Sequence, residues 1–129
     1  MPSFFRRPNT AVVVTVSERQ FGWATVLDLE GDITAGEGTA ALRRETRRLI
    51  TEGRVDIVLN LARVRYIDSS GLGEMVAAQT AARRGGGQVA LLAPTPNVRE
   101  VLKVTRLASV FDVYEDEAGS LRGMSGGRG

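Results

Sequence analysis

The chain has 129 residues, 43% of them hydrophobic and 25% charged, with a formal net charge of +2. This is the size and balance of one ordinary globular domain, and the net charge is too small to argue for a nucleic-acid partner. Cysteine and histidine are both absent, which excludes disulfides, thiolate nucleophiles, Ser-His-Asp triads and Cys- or His-ligated metals.

Residues 1–9 carry Pro2, Pro8 and the pair Arg6-Arg7, and read as a flexible lead-in. No small-residue cleavage site follows the arginines, so no signal peptide is read, and no run approaches the ~20 apolar residues of a membrane span. The expected location is the cytoplasm. Ala11 to Ser17 is β-branched and apolar, a strand, and Gln20 to Gly22 reads as a turn. Trp23 to Glu30 alternates apolar and polar residues as a second strand. The short link predicts an antiparallel pair. Gly31-Asp32-Ile33-Thr34 reads as a break.

Glu37 to Thr51 has helical periodicity, imperfect at Glu45, with Gly53 as its stop. Arg43, Arg44, Arg47 and Arg48 lie on this helix, and their clustering fits either a solvated face or an anion- or partner-binding face. Val55 to Leu61 is a short apolar run, the expected central strand. Arg65-Tyr66-Ile67 then leads into Asp68-Ser69-Ser70-Gly71-Leu72-Gly73, and a helix is expected from about Ser70 to Arg84, closed by Gly85-Gly86-Gly87.

Gln88 to Ala93 reads as a fourth strand, and Thr95-Pro96-Asn97 opens a third helix to about Thr105. Val110 to Tyr114 is a short extended segment, and Glu115 to Leu121 adds a helical turn or two. Residues 123–129 are glycine-rich and read as a disordered tail, leaving 10–122 as the domain. Alternating strands and helices after a hairpin predict an α/β fold, a four- or five-stranded mixed sheet with helices packed on it.

The Asp68–Gly73 stretch puts hydroxyls at a helix N-terminus, where free N–H groups and the helix dipole suit an anion. Nucleophilic catalysis by serine needs a nearby base. Without histidine the neighbour is Asp68, a weak base at its ordinary pKa of ~4. Gly-x-Ser-x-Gly is absent, and Gly71-Leu72-Gly73 is too short for a phosphate-binding P-loop. An enzyme is therefore disfavoured, and no metal or cofactor is expected. Two readings remain. Asp68, Ser69 or Ser70 could cap the helix. Alternatively a serine is phosphorylated, adding roughly −1.5 to −2 charges that change what docks there.

Val58-Leu59-Asn60-Leu61 followed by Tyr66-Ile67-Asp68-Ser69-Ser70-Gly71-Leu72-Gly73 resembles the signature of the STAS domain, in particular of bacterial anti-sigma factor antagonists. The resemblance runs from about Val12 to Leu121, through the Gly31-Asp32 turn and the Pro96…Val98…Val101-Leu102…Leu107…Phe111 ending. It implies that Ser69, directly after the aspartate, is the phosphoacceptor of an anti-sigma factor that is also a serine kinase. The unphosphorylated form binds that kinase and frees the sigma factor; the phosphorylated form does not, and a PP2C-type phosphatase resets it. By the same resemblance Asp68 shapes the loop with Gly71 and Gly73, Ser70 caps the helix, and Leu72 and Met75 lie near the docking face with Asp32. One departure stands out: relatives usually read Gly-Glu-Leu-Asp where this chain has Gly31-Asp32-Ile33-Thr34. Thr34 replaces the second carboxylate, which points to a different partner if that group takes part in docking. The alternative function is a STAS scaffold or accessory subunit, stressosome-type or attached to a lipid transporter, without sigma-factor control.

Overall fold

The computed structural model describes residues 14–128. The expected lead-in, and the start of the first expected strand, lie outside them. The element order is β1 (Thr15–Phe21), β2 (Ala24–Ile33), α1 (Glu37–Thr51), β3 (Asp56–Ile67), α2 (Ser69–Arg84), β4 (Gln88–Leu92), α3 (Pro96–Val104), β5 (Val113–Tyr114) and α4 (Glu117–Arg128), with a single 3-10 turn at Leu107–Ser109 before β5. The five strands form one sheet in the order β1-β2-β3-β4-β5. β1 and β2 are antiparallel and every later pair is parallel, as a hairpin followed by crossover helices requires.

The strands differ from the expected ones at their ends. β1 continues to Phe21, which pairs with Ala24, so the turn is Gly22-Trp23 and not Gln20 to Gly22. Gly22 takes φ +61° there, a left-handed conformation that glycine adopts at little cost. Gly31 and Ile33 do not break β2: they pair with Val64 and Ile67. β3 likewise runs past Leu61 to Ile67. Two irregularities make this extension possible, between Asp28 and Glu30 and between Gly31 and Asp32, each leaving one more residue on β3 than on β2. Asn60 steadies the first, its Oδ1 accepting from Ala62 N at 3.1 Å. Pairing of β4 with β3 stops at Asn60. From Leu61 onward β3 pairs with β2 alone, while Val64 O accepts from the Thr95 hydroxyl at 2.9 Å.

Two cores sandwich the sheet. On one face Leu27, Leu29, Ile57, Leu59, Leu61 and Leu91 pack against Leu42 and Leu49 of α1, Met75 and Ala82 of α2, and Val98 and Leu102 of α3. On the other face Ala24, Val26, Val58, Ala90 and Leu92 pack against Met124 of α4. Arg19 ties α4 down, its Nε reaching Asp28 Oδ2 at 2.5 Å and its Nη1 reaching Glu117 Oε1 at 2.6 Å. α4 runs to Arg128. Burial of Met124, 3% exposed, offsets the low helix propensity around it.

The arginines of α1 are largely occupied. Arg43 Nη2 meets Glu74 Oε2 at 2.6 Å, bridging α1 to α2. Arg48 pairs with Glu18, Glu45 and Glu52, and Arg44 with Glu45. Thr46 takes the buried position of the helical stripe, its hydroxyl donating to Leu42 O at 2.8 Å, while Glu45 stays at the surface to meet Arg48.

Candidate functional site

The ends of β2 and β3 deliver two loops to one place: Thr34 to Gly36, before α1, and Asp68, before α2. Asp68 joins them. It is the N-cap of α2, in extended conformation at φ −105° and ψ −176°. Its Oδ1 accepts from Gly71 N at 2.9 Å and from the Ser70 hydroxyl at 2.6 Å. Its Oδ2 accepts from Ala35 N at 2.9 Å, across to the other loop. The backbone adds Asp68 N donating to Ile33 O at 3.3 Å. One carboxylate thus caps a helix and clasps two loops. The Ser70 hydroxyl, then the Gly71 and Ala35 amides, hold it below the usual carboxylate range against the opposing effect of desolvation.

These contacts reassign the serines. Ser70 is not the cap expected from the family resemblance; it donates to the cap. The physical reason is reach: Asp68, with two acceptor oxygens one residue before the helix, satisfies the free Gly71 N–H and still has an oxygen for Ala35. Ser69 is exposed, and its hydroxyl has no hydrogen bond among the described residues. The two neighbouring hydroxyls are therefore distinct, one tied and one free.

Leu72 and Met75 also stand apart from the expectation. Both are core residues, 5% and 0% exposed, and not part of an outer face. They belong to the stripe Gly71, Leu72, Met75, Ala78, Gln79 and Ala82 that faces the sheet. Gly71 sets this orientation. A Cβ there would lie 2.4 Å from Ile33 O and 2.8 Å from Ile67 Cγ1, so only glycine lets α2 settle onto the β2 and β3 ends. Gly38 does the same for α1, where a Cβ would lie 2.5 Å from Asp32 O. Gly73 differs: an added Cβ there meets nothing within 4 Å. A helical glycine costs up to about 1 kcal/mol relative to alanine, so Gly73 is unfavourable without an internal steric reason.

Asp32 sits beside this site on β2, its Oδ2 3.4 Å from Arg65 Nη2 and its Oδ1 buried with no hydrogen-bond partner among the described residues. Tyr66, absent from the expected site residues beyond its place in the motif, is 59% exposed. With Arg65, Thr95, Pro96 and Asn97 it lines an open groove of about 390 Å³ at the C-terminal ends of the parallel strands. It escaped the sequence reading because the strand was expected to end at Leu61, whereas β3 runs on through Tyr66 to Ile67. Gln79 was also missed. It is 3% exposed, accepts from Val89 N at 2.7 Å and donates to Val110 O at 2.9 Å, locking α2 to β4 and to the segment before β5.

Chemically the site presents an unbonded hydroxyl beside a carboxylate that already accepts three hydrogen bonds. Such a carboxylate is a poor base, so nothing nearby activates Ser69 from within. Among the described residues no group of three or more acidic, histidine or cysteine side chains is placed to hold a metal, and no helix is long and apolar enough to cross a membrane.

Comparison with known proteins is consistent in one direction. The family model described as STAS domain matches residues 12–119. The anti-sigma F factor antagonist of Paenibacillus polymyxa is 31% identical over 65 residues, which span 50% of this chain and 56% of that protein. A relative from Bordetella bronchiseptica is 32% identical over 72 residues, 56% of this chain and 62% of its own. The chain thus spans less than two thirds of the length of these relatives. Among solved structures, an anti-sigma factor antagonist from Mycobacterium paratuberculosis superposes with a TM-score of 0.76 at 20% identity, covering 94% of this chain and 99% of the other. The Bacillus protein SpoIIAA superposes in its unphosphorylated form with a TM-score of 0.73 at 22% identity, over 86% and 96% of the two chains. These two likenesses carry the fold.

Proposed function

The chain belongs to the STAS domain family, and on that premise we propose that it is an anti-sigma factor antagonist switched by phosphorylation of Ser69. Unmodified, it binds an anti-sigma factor that is also a serine kinase and so frees a sigma factor; phosphorylated, it does not bind, and a PP2C-type phosphatase restores it. It acts in the cytoplasm, by binding and not as an enzyme. The observation that carries the assignment is the difference between the two hydroxyls: Ser69 is exposed and unbonded, while Ser70 is held by Asp68 at 2.6 Å. The absence of a base for Ser69 supports an external kinase as the source of modification.

The charge balance supports a label on the surface over a refolding switch. The helix N-terminus favours a phosphate by about 0.3–2 kcal/mol, and the adjacent ionised Asp68 opposes it by a similar amount. The net effect on the fold is small, whereas a partner packed against Ser69 must bury or repel a double negative charge. The docking face then consists of Ser69, Gly73, Tyr66 and Asp32, with Arg65 beside them. The test is phosphorylation by the purified anti-sigma factor kinase with ATP, mapped by mass spectrometry. Label is expected on Ser69, and Ser69→Ala abolishes it while retaining kinase binding; Ser69→Asp weakens binding. Label elsewhere, or equal binding by Ser69→Ala and Ser69→Asp, contradicts the proposal.

A further inference from the structure

Arg65 and Ser69 flank the junction where β3 ends and α2 begins. The Arg65 side chain is 66% exposed, and its one contact among the described residues is Nη2 on Asp32 Oδ2 at 3.4 Å. That is long for a bond between charged groups, which ordinarily lie at about 2.7–2.9 Å. Nε and Nη1 are unengaged, so most of the N–H donors of this guanidinium are open. Other arginines around the strand ends are held more firmly: Arg43 meets Glu74 at 2.6 Å, and Arg99 meets Glu115 while donating to Pro94 O at 3.1 Å. Successive helical positions turn by about 100°. Glu74 is directed to Arg43 of α1, Ser70 lies against Asp68, and Leu72, Met75 and Gln79 face the sheet. Ser69 points away from all of these, with its hydroxyl unbonded among the described residues. Even fully extended, the four residue steps from Arg65 to Ser69 span at most about 14 Å, and a long arginine and a phosphorylated serine close that span from its two ends.

We propose that Arg65 receives the phosphate of Ser69 within the same molecule, its Nε and Nη1 binding phosphate oxygens while Nη2 stays with Asp32. This rests on the phosphoacceptor reading of Ser69 and adds what the phosphate does once it is in place. A phosphoserine carries roughly −1.5 to −2 charges and three acceptor oxygens, and the planar guanidinium fork engages two of them at once. The pairing offsets the repulsion from Asp68 and Asp32. It also changes two charges of the surface together. An anion appears at Ser69, and the exposed cation beside it is neutralised. One modification thus withdraws a positive group from the site as well as adding a negative one.

The experiment uses the full chain with phosphoserine installed at position 69 during synthesis, so that it depends on no kinase. Phosphorus NMR follows the second ionisation of the phosphate against pH in wild type, Arg65→Gln, Arg65→Lys and Arg63→Gln. Arg63 is also an exposed arginine of β3, but it lines a different cleft, with Thr15 and Asp28. An unpaired phosphoserine titrates at about pH 6. A guanidinium bound to it holds the dianion to lower pH, so Arg65→Gln is expected to raise the wild-type midpoint by about 0.5 pH unit or more. Arg65→Lys should fall between, and Arg63→Gln should match wild type. Unmodified Arg65→Gln is expected to melt with wild type, because one exposed ion pair contributes little, so the shift cannot come from misfolding. A wild-type midpoint in Arg65→Gln overturns the pairing, and so does an equal rise in Arg63→Gln, which marks a general field effect. Kinase label mapped away from Ser69 overturns the phosphoacceptor reading instead, since the titration of the installed phosphate is independent of it.

Discussion

Replacing Asp68 by asparagine separates the two tasks of its carboxylate. Asparagine is as good an N-cap as aspartate, so the bond from Gly71 N survives. Its second polar atom is an amide donor, and the Ala35 N–H that Asp68 Oδ2 accepts at 2.9 Å is a donor too. The clasp between the two loops is therefore lost. A hydrogen bond to a charged acceptor is worth about 1.5–3 kcal/mol, and because Ala35 is exposed its amide turns to water, leaving a loss of about 1 kcal/mol. Asp68→Ala removes the cap as well, a further ~1 kcal/mol. In a domain of this size each kcal/mol moves the melting midpoint by roughly 4 °C. At neutral pH the expected losses are thus about 4 °C for Asp68→Asn and about 8 °C for Asp68→Ala. The pH dependence has a definite sign. The folded carboxylate sits below its usual range, so its stabilisation is complete above the unfolded value of ~4 and disappears as pH falls through the folded one. Thermal melts followed by circular dichroism between pH 7 and pH 2 test this. Wild type and Asp68→Asn should converge toward the acid end. Equal midpoints at pH 7, or a gap that persists unchanged to pH 2, would refute the clasp.

Two further outcomes follow from the packing of α2. Gly71→Ala should lower stability by about 2–3 kcal/mol, because the obstructing atom is the Ile33 carbonyl oxygen and main chain cannot swing aside as a side chain does; a chemical-denaturation midpoint equal to wild type counts against this. Gln79→Leu keeps the volume but leaves the buried Val89 N–H without its acceptor, and should cost about 2–3 kcal/mol; urea unfolding should show a lower midpoint with an unchanged slope.

Much of this architecture was legible along the chain. The helix Glu37–Thr51 coincides with its expected bounds, because periodicity and Gly53 are local signals. The hairpin-then-alternation order predicts a mixed sheet, and the sheet is mixed. Strand ends were less legible. The central strand was expected to end at Leu61, yet Arg65 and Tyr66 also belong to β3, since its last residues pair only with β2 and can expose polar side chains there. The place of Met124 in one cluster with Val26, Val58 and Leu92 was equally illegible, since only the fold brings residues so far apart in sequence together.

At the site, sequence by itself determined that histidine and thiol chemistry are unavailable and that hydroxyls sit where a helix begins. Residue types and a turn between strand and helix suffice for both conclusions. Only the tertiary structure decided which hydroxyl is free, since Ala35 is 33 positions from Asp68 and yet completes the bonding of its carboxylate. It also decided that Leu72 and Met75 face inward, because the contact of Gly71 with Ile33 rotates α2 onto the sheet. Periodicity marks which residues share a helix face; which face meets the core depends on what the rest of the fold brings against it.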